Sequence, residues 1–159
     1  MTHPELEARG RAVLDGLLYM VLGTVDADGR PWVTPVYFSA DGGTDFYWVS
    51  SPGTRHSRNI AERPDVSIVV FDSTVPIGGA QAVYMRALAG EVPVDELERC
   101  APLFAARVPQ VRDYTADTLR PPAELRLYRA TVSEHSVLVR GGDPDYGQGI
   151  DSRVAVDLS

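Results

Sequence analysis

Four consecutive residues, Arg55-His56-Ser57-Arg58, put two guanidiniums, an imidazole and a hydroxyl on a single turn of chain. Their neighbours define the element that carries them. Phe46 to Ser51 alternates as a strand with two distinct faces, Pro52-Gly53 breaks it, and Thr54 is suited to cap a helix running to about Arg63, where Pro64 stops it. Val66 to Phe71 follows as a β-branched, buried strand. A helix start offers unpaired backbone N–H groups and the positive end of the macrodipole, so the cluster suits a phosphate monoester. The competing reading is a solvated basic turn paired with nearby carboxylates, because cations at a helix start oppose the dipole. With no Walker loop and no strand-adjacent GxGxxG, nucleoside triphosphates and dinucleotides are disfavoured.

Other chemistries find little support. The three histidines do not cluster with other zinc ligands, and no Gly-x-Ser-x-Gly elbow is present. His56 and Ser57 are adjacent in a helix, which points their side chains apart and makes a poor nucleophile–base pair. All 15 basic residues are arginine, so Schiff-base chemistry on lysine is excluded. Cys100 stands alone, which excludes an intramolecular disulfide and a cysteine metal cage, and it reads as a packed small residue. A net charge of −7 argues against a nonspecific nucleic-acid or anionic-membrane binder and makes Arg55 and Arg58 a local exception. Neither a bilayer-spanning apolar run nor a signal peptide is evident, and the expected location is cytoplasmic.

The remaining elements must position that turn. Tyr19–Val25 and Trp32–Phe38 read as strands flanking the hairpin turn Asp26-Ala27-Asp28-Gly29. Gln81–Glu91 reads as a strand, Asp95–Arg107 as a helix, and Leu125–Val139 as a last long strand or strand pair. Taken in order from about Leu14 to Val94, and more weakly to Val139, this series resembles the pyridoxamine 5'-phosphate oxidase-like flavoproteins, the FMN-binding split-barrel superfamily. The resemblance implies a mainly β (α+β) fold: a six-stranded split β-barrel of Greek-key type with flanking helices, a homodimer with FMN at the subunit interfaces. Residues 1–140 would form the single domain, with the Gly- and Asp-rich 141–159 as a mobile tail, its Val154–Val156 pairing as an edge strand or covering the partner subunit.

Carried over by position, the resemblance sets Arg55 and His56 against the flavin phosphate, with Ser57, Arg58 and Asn59 in support. Thr34, Pro35, Val36 and Tyr37 would lie along the isoalloxazine and ribityl chain, although ordinary barrel core would explain them equally. Val49, Ser50 and Gln81 match further flavin contacts. Where the family commonly has lysine, this chain has His56, whose charge titrates near neutrality; an imidazolium over the phosphate would bind FMN more tightly at about pH 6 than at about pH 8. Relatives also use a deazaflavin or haem, so both stay open as cofactors.

The function implied is an FMN-dependent oxidoreductase acting on a small organic substrate. The alternatives are a non-catalytic flavin- or haem-binding module and a deazaflavin-dependent reductase. Pyridoxamine-phosphate oxidases carry an arginine–histidine pair near the C-terminus; Arg153 lies there without a following histidine, which argues against that particular activity.

Four further expectations concern the periphery. Thr2-His3-Pro4-Glu5 resembles a capping box for an amphipathic helix to about Leu18, with His3 solvated. Tyr114 and Arg112 would line a substrate mouth. His135 reads as part of a turn or exposed edge. Trp32, Tyr37 and Trp48 are expected on a barrel exterior too apolar for solvent, which motivates the dimer.

Overall fold

The computed structural model describes residues 2–159. Helix α1 (Pro4–Gly16) leads into β1 (Tyr19–Val25), β2 (Pro31–Tyr37), β3 (Ser39–Asp41) and β4 (Asp45–Ser50). After α2 (Arg55–Glu62) come β5 (Asp65–Phe71), β6 (Ala82–Glu91), α3 (Leu97–Ala105), α4 (Ala116–Leu119), β7 (Arg126–Val139) and β8 (Ser152–Val156). All eight strands form one antiparallel sheet in the order β2-β1-β5-β6-β7-β4-β3, with β8 added to the far half of β7. This is the mainly β, split-barrel architecture the resemblance implies. The short β3 and β8 extend the expected six strands to eight.

Strand β7 joins the two halves. Its first half pairs with β4, its second half with β8, and its other edge follows β6 with a register shift beside Arg86 and Ala87. The hairpin between β1 and β2 forms as its residues require: Asp26 Oδ1 accepts from the amides of Asp28 and Arg30, both at 2.9 Å, and Gly29 supplies φ +79°.

Two apolar clusters fill the fold. Met20, Leu22, Phe46, Trp48, Ile68 and Val70 join the inner sheet face to α1 and α2. Tyr47, Leu97, Cys100, Phe104 and Leu127 join the outer face of β4 and β7 to α3 and α4. Period-2 alternation explains the division: Phe46 and Trp48 face the first cluster, while Tyr47 and Val49 face the second. Arg107 ties the layers together. Its guanidinium donates to the carbonyls of Leu14 (2.9 Å) and Leu17 (2.6 Å) at the end of α1 and to Phe38 (2.7 Å) beyond β2. It thereby satisfies carbonyls that the helix end leaves open.

Several local expectations are corrected. Pro4, free of any N–H, takes the first position of α1; His3 precedes it as the cap residue without a side-chain bond, so no capping box forms. His3 is half-buried, edge-on to Tyr146. Trp48 is an interior residue, fully buried and stacked on Tyr128 with ring centroids 5.6 Å apart. His135 is neither turn nor exposed edge: it lies in β7, half-buried, with Nε2 2.7 Å from the Gly43 carbonyl. Tyr114 packs on Phe104 in the second cluster, and Arg112 is solvent-exposed beside Asp113.

The tail packs back on its own chain. Asp143 is held by Arg9 at 2.5 Å and accepts from the amides of Asp145 and Tyr146, β8 pairs with β7 of the same chain, and Leu158 is buried in the first cluster. The chain folds back here because Gly10 leaves room on α1, its Cα facing the Leu158 methyls.

Candidate functional site

Helix α2 begins as its residues dictate. Ser51 Oγ accepts from the Gly53 amide at 3.2 Å, and Thr54 Oγ1 accepts from the Ser57 amide at 3.3 Å, capping the helix. Arg58 N–H makes the first turn's bond to Thr54 C=O at 3.0 Å. The amides of Arg55 and His56 precede any helical acceptor and remain available to a ligand.

The helix has two faces. His56, Ser57, Asn59 and Ile60 are buried, whereas Arg55 and Arg58 are exposed. Asn59 Nδ2 donates to Thr24 Oγ1 at 3.0 Å, fixing α2 on β1, and Ile60 enters the core. Arg55 lies over the Trp32 ring of β2, 4.3 Å from its centroid, which limits the freedom of a long side chain and sets its head beside the helix start. Among the described residues neither Arg55 nor Arg58 is paired with a carboxylate, whereas Arg63 at the other end of α2 pairs with Glu62 at 3.0 Å. The reading as a basic turn neutralised by nearby acids therefore finds no partner in the structure. Two unpaired guanidiniums and two open amides share one surface.

His56 occupies a different place from the one expected. Its ring is 9 % exposed, and Nε2 lies 2.8 Å from Ser50 Oγ and 3.3 Å from Thr54 Oγ1. Burial pushes its pKa below the usual histidine value. The imidazole thus faces inward, toward Ser50 and Thr54.

The other expected positions divide into groups. Thr34 and Val36 pair with Leu22 and Met20, so they share the inner face with Trp32, and α2 packs against this part of β1 and β2. Pro35 and Tyr37 point to the opposite face, where Tyr37 meets Phe104 edge-on with centroids 5.6 Å apart. Burial raises the Tyr37 phenol's pKa, with the Arg107 charge opposing it, and its hydroxyl has no partner. Val49 lies on that outer side too, while Ser50 is inside with His56. Gln81 precedes β6, six residues from Ala87, which pairs with Val66; that is roughly 20 Å along the strand from the α2 end. Within one chain Arg55 and Arg58 share the exposed face of α2, Ser57 and Asn59 lie on its buried face, Thr34 faces the inner side of β2, and Gln81 stands just before β6. Trp32 and Thr24 meet α2 through contacts distant in sequence that no local pattern announces. Among the described residues no group of three or more histidine, cysteine or acidic side chains could hold a metal, and no helix is long and apolar enough to cross a membrane.

Comparison with known proteins agrees with this geometry. The sequence profile of the pyridoxamine 5'-phosphate oxidase family matches residues 6–135. No curated protein matches the chain. Among solved structures, a haem-binding protein from Mycobacterium smegmatis superposes with a TM-score of 0.72 at 18% identity over 98% of this chain and 60% of that one. The haem storage protein HutZ from Vibrio cholerae gives 0.64 at 23% identity over 94% and 99%, and an F420 reductase gives 0.57 at 22% over 80% and 95%. The chain thus spans about three fifths of the mycobacterial protein and nearly all of HutZ. Sheet order, flanking helices and superpositions define a split-barrel protein. The chain belongs to the pyridoxamine 5'-phosphate oxidase family.

Proposed function

We propose that this chain binds FMN by its phosphate at the start of α2 and acts, as a homodimer, as a flavin-dependent oxidoreductase on a small organic substrate. The observation that carries this reading is the pair of carboxylate-free guanidiniums, Arg55 and Arg58, beside the open amides of Arg55 and His56. A phosphate dianion would receive charge-assisted hydrogen bonds from the arginines and dipole stabilisation from the helix. Trp32 keeps Arg55 in place, and Thr34 on the same strand face lies where the rest of the cofactor would leave the phosphate. Bound FMN would supply the hydride and electron transfer; the protein's task is to bind and orient it.

The outer sheet face supports the dimer. Tyr19, Val33 and Leu88 are 61%, 64% and 57% exposed, and Val21, Gly23, Val69, Tyr84 and Ala155 line an open trough of about 1100 Å³ there. No helix covers it, unlike the outer face of β4.

The test is to titrate the purified chain with FMN, a phosphorylated deazaflavin and haemin, followed by absorbance, and to measure its mass by light scattering. The expected results are saturable FMN binding and a mass of twice 17.3 kDa. Saturation by haemin or deazaflavin with no uptake of FMN would overturn the cofactor assignment, and a monomer at micromolar concentration would overturn the dimer.

A further inference from the structure

The inward-facing imidazole of His56 has a structural meaning of its own. We propose that His56 is a positioning residue: anchored inside by Ser50 and Thr54, its imidazole fixes the first turn of α2, so that Arg55 and the open amides are aimed at the anion, and it does not itself touch that anion. The last part rests on the phosphate site proposed above; the anchor does not.

The geometry is a closed set of contacts across the turn between β4 and α2. Ser50 Oγ lies 2.8 Å from His56 Nε2 and 3.4 Å from Thr54 Oγ1, and Thr54 Oγ1 lies 3.3 Å from the same Nε2. Thr54 Oγ1 is also 3.0 Å from the Ser51 carbonyl and 2.8 Å from Ser57 Oγ. One chain of polar contacts therefore runs from β4 through the turn into α2. It lies within the fold: Ser50, His56 and Ser57 are 8%, 9% and 2% exposed.

The charge environment keeps the ring neutral. His56 Nε2 faces Ser50 from β4 and Thr54 from the turn; Ser57 and Asn59 lie on the same buried side of its helix, with Thr24 of β1 behind Asn59. No carboxylate pairs with it; Arg55 and Arg58, the cations of its own first turn, are exposed, and Arg126 of β7 pairs in register with Ser50. Burial without a counter-ion disfavours the imidazolium, as does the positive end of the helix. A neutral ring gives no charge to a phosphate but can hold a hydroxyl. Because the folded chain binds this proton less readily than the unfolded chain, acidification below about pH 6.5 should cost stability.

The experiment compares wild type, His56→Gln, His56→Ala and Ser50→Ala. FMN affinity is measured from about pH 8 to about pH 6, and the His56 ring is followed by nitrogen NMR in the ligand-free chain. Glutamine can still bond to Ser50, so His56→Gln should stay within about threefold of wild type with a constant ratio across pH, while His56→Ala and Ser50→Ala should each lose about tenfold. The phosphate's own ionisation near pH 6 affects all four proteins alike. A wild-type affinity that rises about tenfold over His56→Gln on acidification would show an imidazolium on the anion and overturn the proposal. If no form binds FMN, the cofactor reading fails, and the ring decides the anchor. Titration below the ordinary histidine value, displaced by Ser50→Ala, is expected; titration at or above that value, indifferent to Ser50, would overturn it.

Discussion

Replacing Arg55 and Arg58 together with alanine should weaken FMN binding by about 3–5 kcal/mol, roughly two to nearly four orders of magnitude in Kd, while riboflavin binding changes by less than about 0.5 kcal/mol. Each guanidinium can make a charge-assisted bond to the phosphate worth about 1.5–3 kcal/mol, and the two lie three residues apart on one helix face, so their effects will not be strictly additive. Neither arginine contributes an ion pair to the fold, and the contact of Arg55 with Trp32 is a half-exposed stack worth about 0.5–1 kcal/mol. Thermal stability should therefore barely change. Calorimetric titration of both ligands against both proteins measures the difference directly. Equal losses for FMN and riboflavin would assign the arginines to the scaffold instead of the anion.

Gly43→Ala should be the more damaging change to stability. Gly43 has φ +80°, and a Cβ there would stand 2.1 Å from the carbonyl oxygen of Leu158, a backbone atom that cannot step aside alone. The substitution combines the cost of a left-handed alanine, about 1–2 kcal/mol, with displacement of the tail and exposure of Leu158, about 1.5–3 kcal/mol more. The sum, about 3–5 kcal/mol, should lower Tm by roughly 10 °C in a domain of this size. Gly42→Ala is the control, because Gly42 has φ +61° but no neighbour within 4 Å of its Cβ position. It should show only the backbone cost. Thermal melts of the two variants should differ by several degrees, with faster amide exchange in β8 only for Gly43→Ala. Equal melts would mean that the C-terminal residues contribute little to the fold.

How much of this could be read from the chain depends on the range of the interaction. Elements set by local chemistry were legible: the Asp26–Gly29 turn, the Thr54 cap, the stop at Pro64 and the alternation of β4 all follow from neighbours in sequence. Pairings that join distant segments were not. Trp48 lies on a strand apolar on both faces, so its pattern could not say which cluster it enters; pairing with Tyr128 decides that. His135 looks like a turn residue beside Glu134 until Gly43 comes within hydrogen-bonding range from 92 residues away. The tail has the composition of a loop, and only Arg9 and Gly10 of α1 show why it is held. At the site, the charges were legible and their directions were not: Arg55 is turned outward by Trp32 and His56 inward by Ser50, both contacts of tertiary structure.

The central claim, that the first turn of α2 grips a phosphate dianion, is tested most directly by the phosphorus NMR signal of FMN bound to the wild-type chain. Free FMN phosphate takes up its second proton near pH 6, whereas a phosphate held by Arg55, Arg58 and two helix amides should stay dianionic well below that. The predicted result is a bound resonance displaced from that of free FMN, constant between about pH 5.5 and about pH 8, and returned toward the free value by Arg55→Ala. A bound resonance that titrates like free FMN and ignores Arg55→Ala would contradict the account.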